Sequence, residues 1–271
     1  MKKVRLFATC LVDAFRPAVA ISAFHVLEDQ GVHVDFPLEQ TCCGQFAFNA
    51  GHHHEAALLA QHFLEVFQNE DSDIVALSGS CAAMVVHEYP RLVHDDVLAQ
   101  GGLPSEAKDW EHRAIKVSER VVELSQWLSG RIDEAPGGPS SVMALHQGCH
   151  MRRVLKANAE PREVLQKSGI GIMELDDADQ CCGFGGTYSM TEWPVSTALA
   201  DAKIRALMKA QEQGASALTS ADLGCLLHLE GRLSRLKKAF PVLHLAEVLD
   251  RANPRPGVGE RGVNDGGYTA E

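Results

Sequence analysis

Thr41-Cys42-Cys43-Gly44-Gln45 in the first half of the chain and Cys181-Cys182-Gly183-Phe184-Gly185 in the second are two copies of one device. Each adjacent cysteine pair is preceded, after a gap of 31 residues, by a lone cysteine, Cys10 or Cys149. Each is followed by another, Cys81 after a gap of 37 residues and Cys225 after a gap of 42. The chain has 8 cysteines, and none is left over. Core packing gives no reason for thiols to recur at such long, matched spacings. A metal centre does, because it draws distant soft ligands to one place.

Working outward from the cysteines, residues 4–9 are a short apolar run that predicts a buried strand ending at Cys10. Residues 14–29 have helical spacing, with Val19, Phe24, Val26 and Leu27 on the buried side and Gly31 closing the helix. The reading continues with a strand over 32–36 and a helix over 55–67 whose Leu58, Leu59, Phe63 and Val66 share a face. A third strand covers 73–77, and helices cover 82–94 and 105–130. The second half repeats the order, with strands over 142–145, 171–175 and 217–220, helices over 161–167, 195–213 and 226–238, and a further strand over 242–245.

Strands alternating with helices predict parallel sheets covered on both faces, the α/β class. The expected architecture is two similar domains related by internal duplication, each a small parallel, Rossmann-like sheet with flanking helices. Residues 134–141 hold two prolines, two glycines and two serines, so the boundary falls there. The domains are then 1–133 and 142–251. Residues 252–271, rich in Pro, Gly and charge, read as a disordered tail.

Composition narrows the function classes. A chain of 271 residues with 45% hydrophobic and 23% charged residues is ordinary for a globular protein of one large or two average domains. A net charge of -11, with no Lys/Arg-rich stretch, argues against nucleic acid. Asp13 and Arg16 interrupt the apolar N-terminal stretch, so it does not read as a signal peptide. No run approaches the ~18 apolar residues of a transmembrane segment. A cytoplasmic protein is expected, in which cysteine clusters mean metal or redox chemistry rather than disulfides.

Cys10, Cys81, Cys149 and Cys225 each lie between a predicted strand and a predicted helix, where the helix N-terminus favours a thiolate. Ligands of open α/β sheets gather at this edge. Four thiolates suit either tetrahedral zinc or an iron–sulfur cluster. Adjacent cysteines span the vertices of one small tetrahedron poorly and the irons of a larger centre more easily, so iron–sulfur is favoured. Gly183-Phe184-Gly185-Gly186 follows the cysteine pair rather than a first strand. It reads as close backbone approach to a cluster, not as a dinucleotide fingerprint. His52, His53 and His54 read as a solvated helix end. His146 and His150 flank Cys149 and could either hydrogen-bond a cluster sulfur or simply pack. Of Arg152 and Arg153, one is expected to offset thiolate charge and the other to face solvent.

These motifs resemble the duplicated cysteine-rich CCG domain found in heterodisulfide reductase and in the glycolate oxidase iron–sulfur subunit, and most closely the lactate-utilization protein A family. The resemblance is carried in the first half by Cys10-Leu11-Val12-Asp13, Gln40-Thr41-Cys42-Cys43-Gly44-Gln45 and Ser78-Gly79-Ser80-Cys81-Ala82-Ala83-Met84. In the second half it is carried by His146-Gln147-Gly148-Cys149-His150-Met151-Arg152-Arg153, Cys181-Cys182-Gly183-Phe184-Gly185-Gly186-Thr187 and Ala221-Asp222-Leu223-Gly224-Cys225-Leu226-Leu227-His228. It implies an iron–sulfur electron-transfer subunit of an L-lactate dehydrogenase complex that oxidises lactate to pyruvate. The eight cysteines would hold one or two clusters, expected as [4Fe–4S]. Two further lactate-utilization subunits, a ferredoxin-type iron–sulfur protein and a smaller one, would be the partners. The alternatives are a heterodisulfide-reductase-like or glycolate-oxidase-type subunit and a zinc-stabilised structural subunit, and a related family carries zinc in one domain. The broader family ends each domain in a Cys-x-x-Cys pair. Here Met84 and His228 stand at the last position, which makes His228 a further candidate ligand. The sequence shows no flavin or nicotinamide motif, so hydride removal falls to another group.

Overall fold

The first apolar run forms strand β1 (Lys3–Phe7), and the elements after it wind round it in a fixed order. In the computed structural model, which describes residues 2–137, 139–176 and 178–252, β1 leads to α1 (Cys10–Phe15), α2 (Ala18–Asp29) and β2 (His33–Asp35). Next come α3 (Gln45–Asn49), α4 (His53–Phe67) and β3 (Asp73–Ala76). Helix α5 (Gly79–Ala83) passes through a π-helical turn (Met84–Glu88) into α6 (Tyr89–Ala99), followed by α7 (Pro104–Ser118), β4 (Val121–Glu123) and α8 (Leu124–Leu128).

The second half opens with β5 (Ser141–Leu145), a π-helical turn (His150–Val154), α9 (Glu160–Lys167) and β6 (Ile170–Glu174). It continues through α10 (Tyr188–Thr191), α11 (Trp193–Glu212), β7 (Leu218–Ser220), α12 (Leu223–Arg235), β8 (Val242–His244) and α13 (Leu245–Ala252).

Each half contains a four-stranded, wholly parallel sheet, of order β2-β1-β3-β4 in the first and β6-β5-β7-β8 in the second. The same order occurring twice is the structural counterpart of the repeated cysteines. The expected α/β duplication is present.

The strands are apolar on both faces because helices cover both. Side chains alternate along a strand, so Val4 and Leu6 of β1 and Val75 of β3 point into one apolar cluster while Phe7, Ile74 and Ala76 point into another. The first cluster continues without a break into Ala144, Leu145 and Leu218 of the second sheet. The second cluster is closed by α4 and α6 through Phe63, Phe67, Tyr89 and Val93. The two halves thus share one core. Helix α2 contributes Val19, Ala23, Val26 and Leu27 to it, an i, i+4, i+7, i+8 stripe.

Several expectations are corrected. The helix expected over 14–29 is broken at Arg16-Pro17, since proline lacks the N–H that would continue α1, and Phe24 is only partly buried. Helix α4 buries Ala56, Ala57, Ala60, Phe63, Leu64 and Phe67, and Leu58 is exposed, so its inward face is rotated from the one expected. The segment 105–130 is not one helix. It contains β4, which pairs Ile74 with Val121 and Val75 with Val122 on the outer edge of the sheet. Helix α13 lies partly within and beyond the last expected strand. Residues 253–271, where a disordered tail was expected, lie outside the described residues. No helix among the described residues is long and apolar enough to cross a membrane.

Candidate metal centre

The connections that follow β1, β3, β5 and β7 deliver the four lone cysteines. Cys10 is the first residue of α1, Cys81 lies in α5, Cys149 precedes its π-helical turn, and Cys225 lies in the first turn of α12. The loops after β2 and β6 bring in the two adjacent pairs. In the first half Cys10 Sγ is 3.4 Å from Cys42 Sγ, and Cys43 Sγ is 3.3 Å from Cys81 Sγ. In the second half Cys182 Sγ is 3.1 Å from Cys225 Sγ, and the Cys149 thiol hydrogen-bonds the Cys181 sulfur. Each adjacent pair is therefore split, one sulfur going to each lone cysteine. All eight cysteines line one cavity between the halves.

The glycine of each Cys-Cys-Gly sequence is required by geometry. Gly44 (φ 81°) and Gly183 (φ 92°) adopt the left-handed conformation that turns the chain back toward the sulfurs. A Cβ would stand 3.1 Å from the Ala56 carbonyl oxygen at Gly44 and 2.4 Å from the Ser196 carbonyl oxygen at Gly183. In this conformation the Gly44 N–H donates to Cys42 Sγ (3.4 Å) and the Gly183 N–H to Cys181 Sγ (3.3 Å). The Phe184 N–H donates to Cys182 Sγ (3.4 Å). Tyr89, fully buried, anchors the first loop by donating its hydroxyl to the Cys43 carbonyl (2.9 Å).

These contacts set the protonation pattern. Hydrogen bonds from Cys10 and Cys43 pull the Cys42 thiol far below its ordinary value, and those from Cys149 and Cys182 do the same for Cys181. Cys10 and Cys149 are pushed up as the donors of these bonds, and burial raises them further. The Cys225 thiol is lowered by Cys182 and, against its own burial, by the nearby His146. Each half thus already favours a thiolate, the form that ligates metal.

The two halves also meet through equivalent residues. Counted back three positions from Cys81 and Cys225 are Ser78 and Asp222, and the Ser78 hydroxyl donates to the Asp222 carboxylate across the interface (2.8 Å). The same oxygen accepts the Ser80 N–H at the start of α5 (2.8 Å). Asp222 also presses against Gly148, where a Cβ would stand 2.1 Å from its second oxygen.

The other residues singled out by sequence are placed as follows. His150 lines the cavity, with Nδ1 3.6 Å from Cys149 Sγ and Nε2 3.3 Å from the Gln45 amide nitrogen. His228 is not among the cavity-lining residues, and its Nε2 lies 3.3 Å from the Ser196 hydroxyl. Met84, at the corresponding place in the first half, is buried in the apolar cluster. Gly185 and Gly186 line the cavity, packed so closely that a Cβ would meet Tyr188 at the first and the Phe46 ring at the second. Arg152 and Arg153 both turn to Asp179, Arg152 to its carboxylate and Arg153 to its carbonyl, so neither takes the expected role of offsetting a thiolate. His52, His53 and His54 form an exposed start to α4, with His54 bonded to Asp96 (2.8 Å). His146 is fully enclosed, and its ring stands against Cys182 and Cys225.

Sulfurs meeting in close pairs around one cavity, N–H groups aimed at them and thiols biased toward the thiolate together fit a thiolate-bound metal group, and the clustered cysteines support metal binding. Comparison with known proteins agrees. Residues 4–86 and 143–230 match the cysteine-rich CCG domain. The chain is 39% identical to "Lactate utilization protein A" of Halalkalibacterium halodurans over 92% of its own length and 96% of that protein. It is 38% identical to "Lactate utilization protein A" of Bacillus cereus and 39% identical to that of Bacillus cytotoxicus, in both cases over 92% of this chain and 98% of the other. The fold alone is shared with a hypothetical protein from Helicobacter pylori, with a TM-score of 0.61 at 14% identity over 93% of this chain and 49% of that one. With two copies of the CCG domain and this similarity over nearly its whole length, the chain belongs to the lactate utilization protein A family.

Proposed function

We propose that this protein is the iron–sulfur electron-transfer subunit of a complex that oxidises L-lactate to pyruvate. The observation that carries the reading is the single cavity lined by all eight cysteines, in a chain of this family. Cys10, Cys42, Cys43 and Cys81 are the ligands of one [4Fe–4S] cluster, and Cys149, Cys181, Cys182 and Cys225 those of a second. When bound, such clusters accept and pass on single electrons. The chain's own part is to hold thiolates ready, to donate the Gly44, Gly183 and Phe184 N–H groups to sulfur, and to shield the sulfurs between two halves.

The lactate-utilization reading implies partners, a ferredoxin-type iron–sulfur protein and a smaller subunit, in the cytoplasm. The boundary between the two domains lies in 134–141, whose described residues form no helix and no strand before β5 at Ser141. The test is to assemble the complex without oxygen and add L-lactate. The clusters of this subunit should become reduced, and Cys81→Ser or Cys225→Ser should abolish pyruvate formation. Reduction by a thiol or disulfide compound but not by lactate would favour the heterodisulfide-reductase-like alternative. A zinc-loaded subunit without sulfide would favour the structural one.

A further inference from the structure

His146 is the residue that makes the two metal sites chemically different. It follows β5, and its backbone N–H continues the ladder by donating to the Thr219 carbonyl (2.9 Å). Its side chain is only 2% exposed, and no oxygen or nitrogen of the described residues partners either ring nitrogen; the polar atom facing the ring is the Cys225 sulfur. A polar group left unpaired at such depth destabilises the fold unless something else satisfies it. A ring nitrogen of His146 and the sulfurs of Cys182 and Cys225 all lie within 4.8 Å of one another, close enough to serve one metal centre.

The first half shows that the fold does not itself need an imidazole here. Three positions before Cys10, where His146 stands before Cys149, is Phe7. Phe7 occupies the same apolar cluster as Cys43 and Cys81 and packs edge-on against Phe63 with ring centroids 4.9 Å apart. An aromatic hydrocarbon ring therefore stands at the equivalent position, in the apolar cluster that also holds the equivalent cysteines.

We propose that His146 takes the place of one of the four thiolates as a nitrogen ligand to the metal centre of the second half, so that this site is thiolate–imidazole while the first is all-thiolate. This rests on the reading of the cysteines as ligands and refines it, in the second half, from four thiolates to three and one imidazole. A neutral imidazole carries less charge than a thiolate, and replacing thiolate by imidazole raises the potential of an iron–sulfur centre. The second centre would then be the easier of the two to reduce.

The test uses the whole chain, kept oxygen-free, with 15N-labelled histidine. After iron and sulfide are loaded and the protein is reduced, pulsed EPR should show a strongly coupled nitrogen. His146→Phe, which installs the first half's residue, should remove that signal and lower the potential of one centre while leaving the other unchanged. His146→Cys, which keeps a donor, should retain the iron and lose the nitrogen signal, separating ligation from folding. A wild-type protein with iron and sulfide but no coupled nitrogen, or a signal unchanged in both variants, overturns the inference while the cluster reading stands. If no iron and sulfide bind, the cluster reading fails, and zinc alone becomes the probe. X-ray absorption should then show imidazole at zinc in the wild type only, with affinity of the second site about tenfold or more lower in His146→Phe. Sulfur-only coordination of zinc in the wild type would overturn the inference.

Discussion

The first half carries Phe7, Met84, Glu123 and Ser78 where the second carries His146, His228, His244 and Asp222. The cysteines, the Cys-Cys-Gly turns and the strand order are the same in both. Duplication has thus kept what gathers the sulfurs and changed what surrounds them. The first quartet backs onto an aromatic cluster, whereas the second has an imidazole at two of its sulfurs. Two quartets of thiols therefore sit in different electrostatic surroundings, and such surroundings tune a bound metal group.

The strongest way to separate the halves is through their turn glycines. Both need positive φ, but only at Gly183 would a new Cβ meet backbone at 2.4 Å, against 3.1 Å at Gly44. Gly183→Ala should cost ~3–5 kcal/mol, combining left-handed strain with overpacking, and Gly44→Ala ~1–3 kcal/mol. Denaturant unfolding of the reduced, metal-free protein measures both. Equal losses would show that the second turn has room to relax.

Next in size is a pH contrast between Glu123 and His244, which end the equivalent edge strands β4 and β8 and are both fully buried. Burial lifts the Glu123 carboxyl from 4.5 to about 8, so the folded state holds its proton more tightly. Its contribution to stability is fully present below pH 4.5 and is lost as pH rises toward 8. Burial lowers His244 from 6.5 to about 4. Its neutral ring accepts the Ala246 N–H and faces the Leu77 and Ala221 carbonyls. Stability from His244 is full above pH 6.5 and is lost as pH falls toward 4. Glu123→Gln should flatten the alkaline-side fall and His244→Gln the acid-side fall, each on the order of 3 kcal/mol. Unfolding free energies from pH 4 to 8 decide it, and parallel profiles would contradict the contrast.

The smallest contrast lies at the interface. Asp222→Ala strands the Ser80 N–H and leaves the Ser78 hydroxyl only the Ser80 hydroxyl as partner, at ~2–3 kcal/mol. Ser78→Ala removes one of two donors to a carboxylate that keeps the other, at ~1 kcal/mol. Thermal unfolding of the two variants gives the order directly.

Much of the fold was legible because parallel strands buried on both faces read as short apolar runs, and the cysteines marked where each run ends. Strand β4 was hidden because Val121-Val122-Glu123 merges into a helical pattern on both sides and is defined only by pairing with distant Ile74 and Val75. Proline at position 17 was an available signal for the break before α2. Helix α13 had its own, the apolar set Leu245, Ala246, Val248 and Leu249 around Glu247. The grouping of cysteines within each half followed from the repeat, but their meeting in one cavity did not. That depends on contacts between halves, Asp222 against Ser78 and Phe184 against Phe46, which no local pattern encodes. His146 was visible beside Cys149 in sequence, yet its contact is with Cys182 and Cys225, brought there by the fold.

The most direct measurement is of iron, acid-labile sulfide and zinc in the protein purified without oxygen, for the wild type and for Cys43→Ser and Cys182→Ser. Iron and sulfide in equal amounts, reduced by about half in either variant, is the predicted result. Zinc without sulfide, or eight free thiols and no metal, would contradict the account.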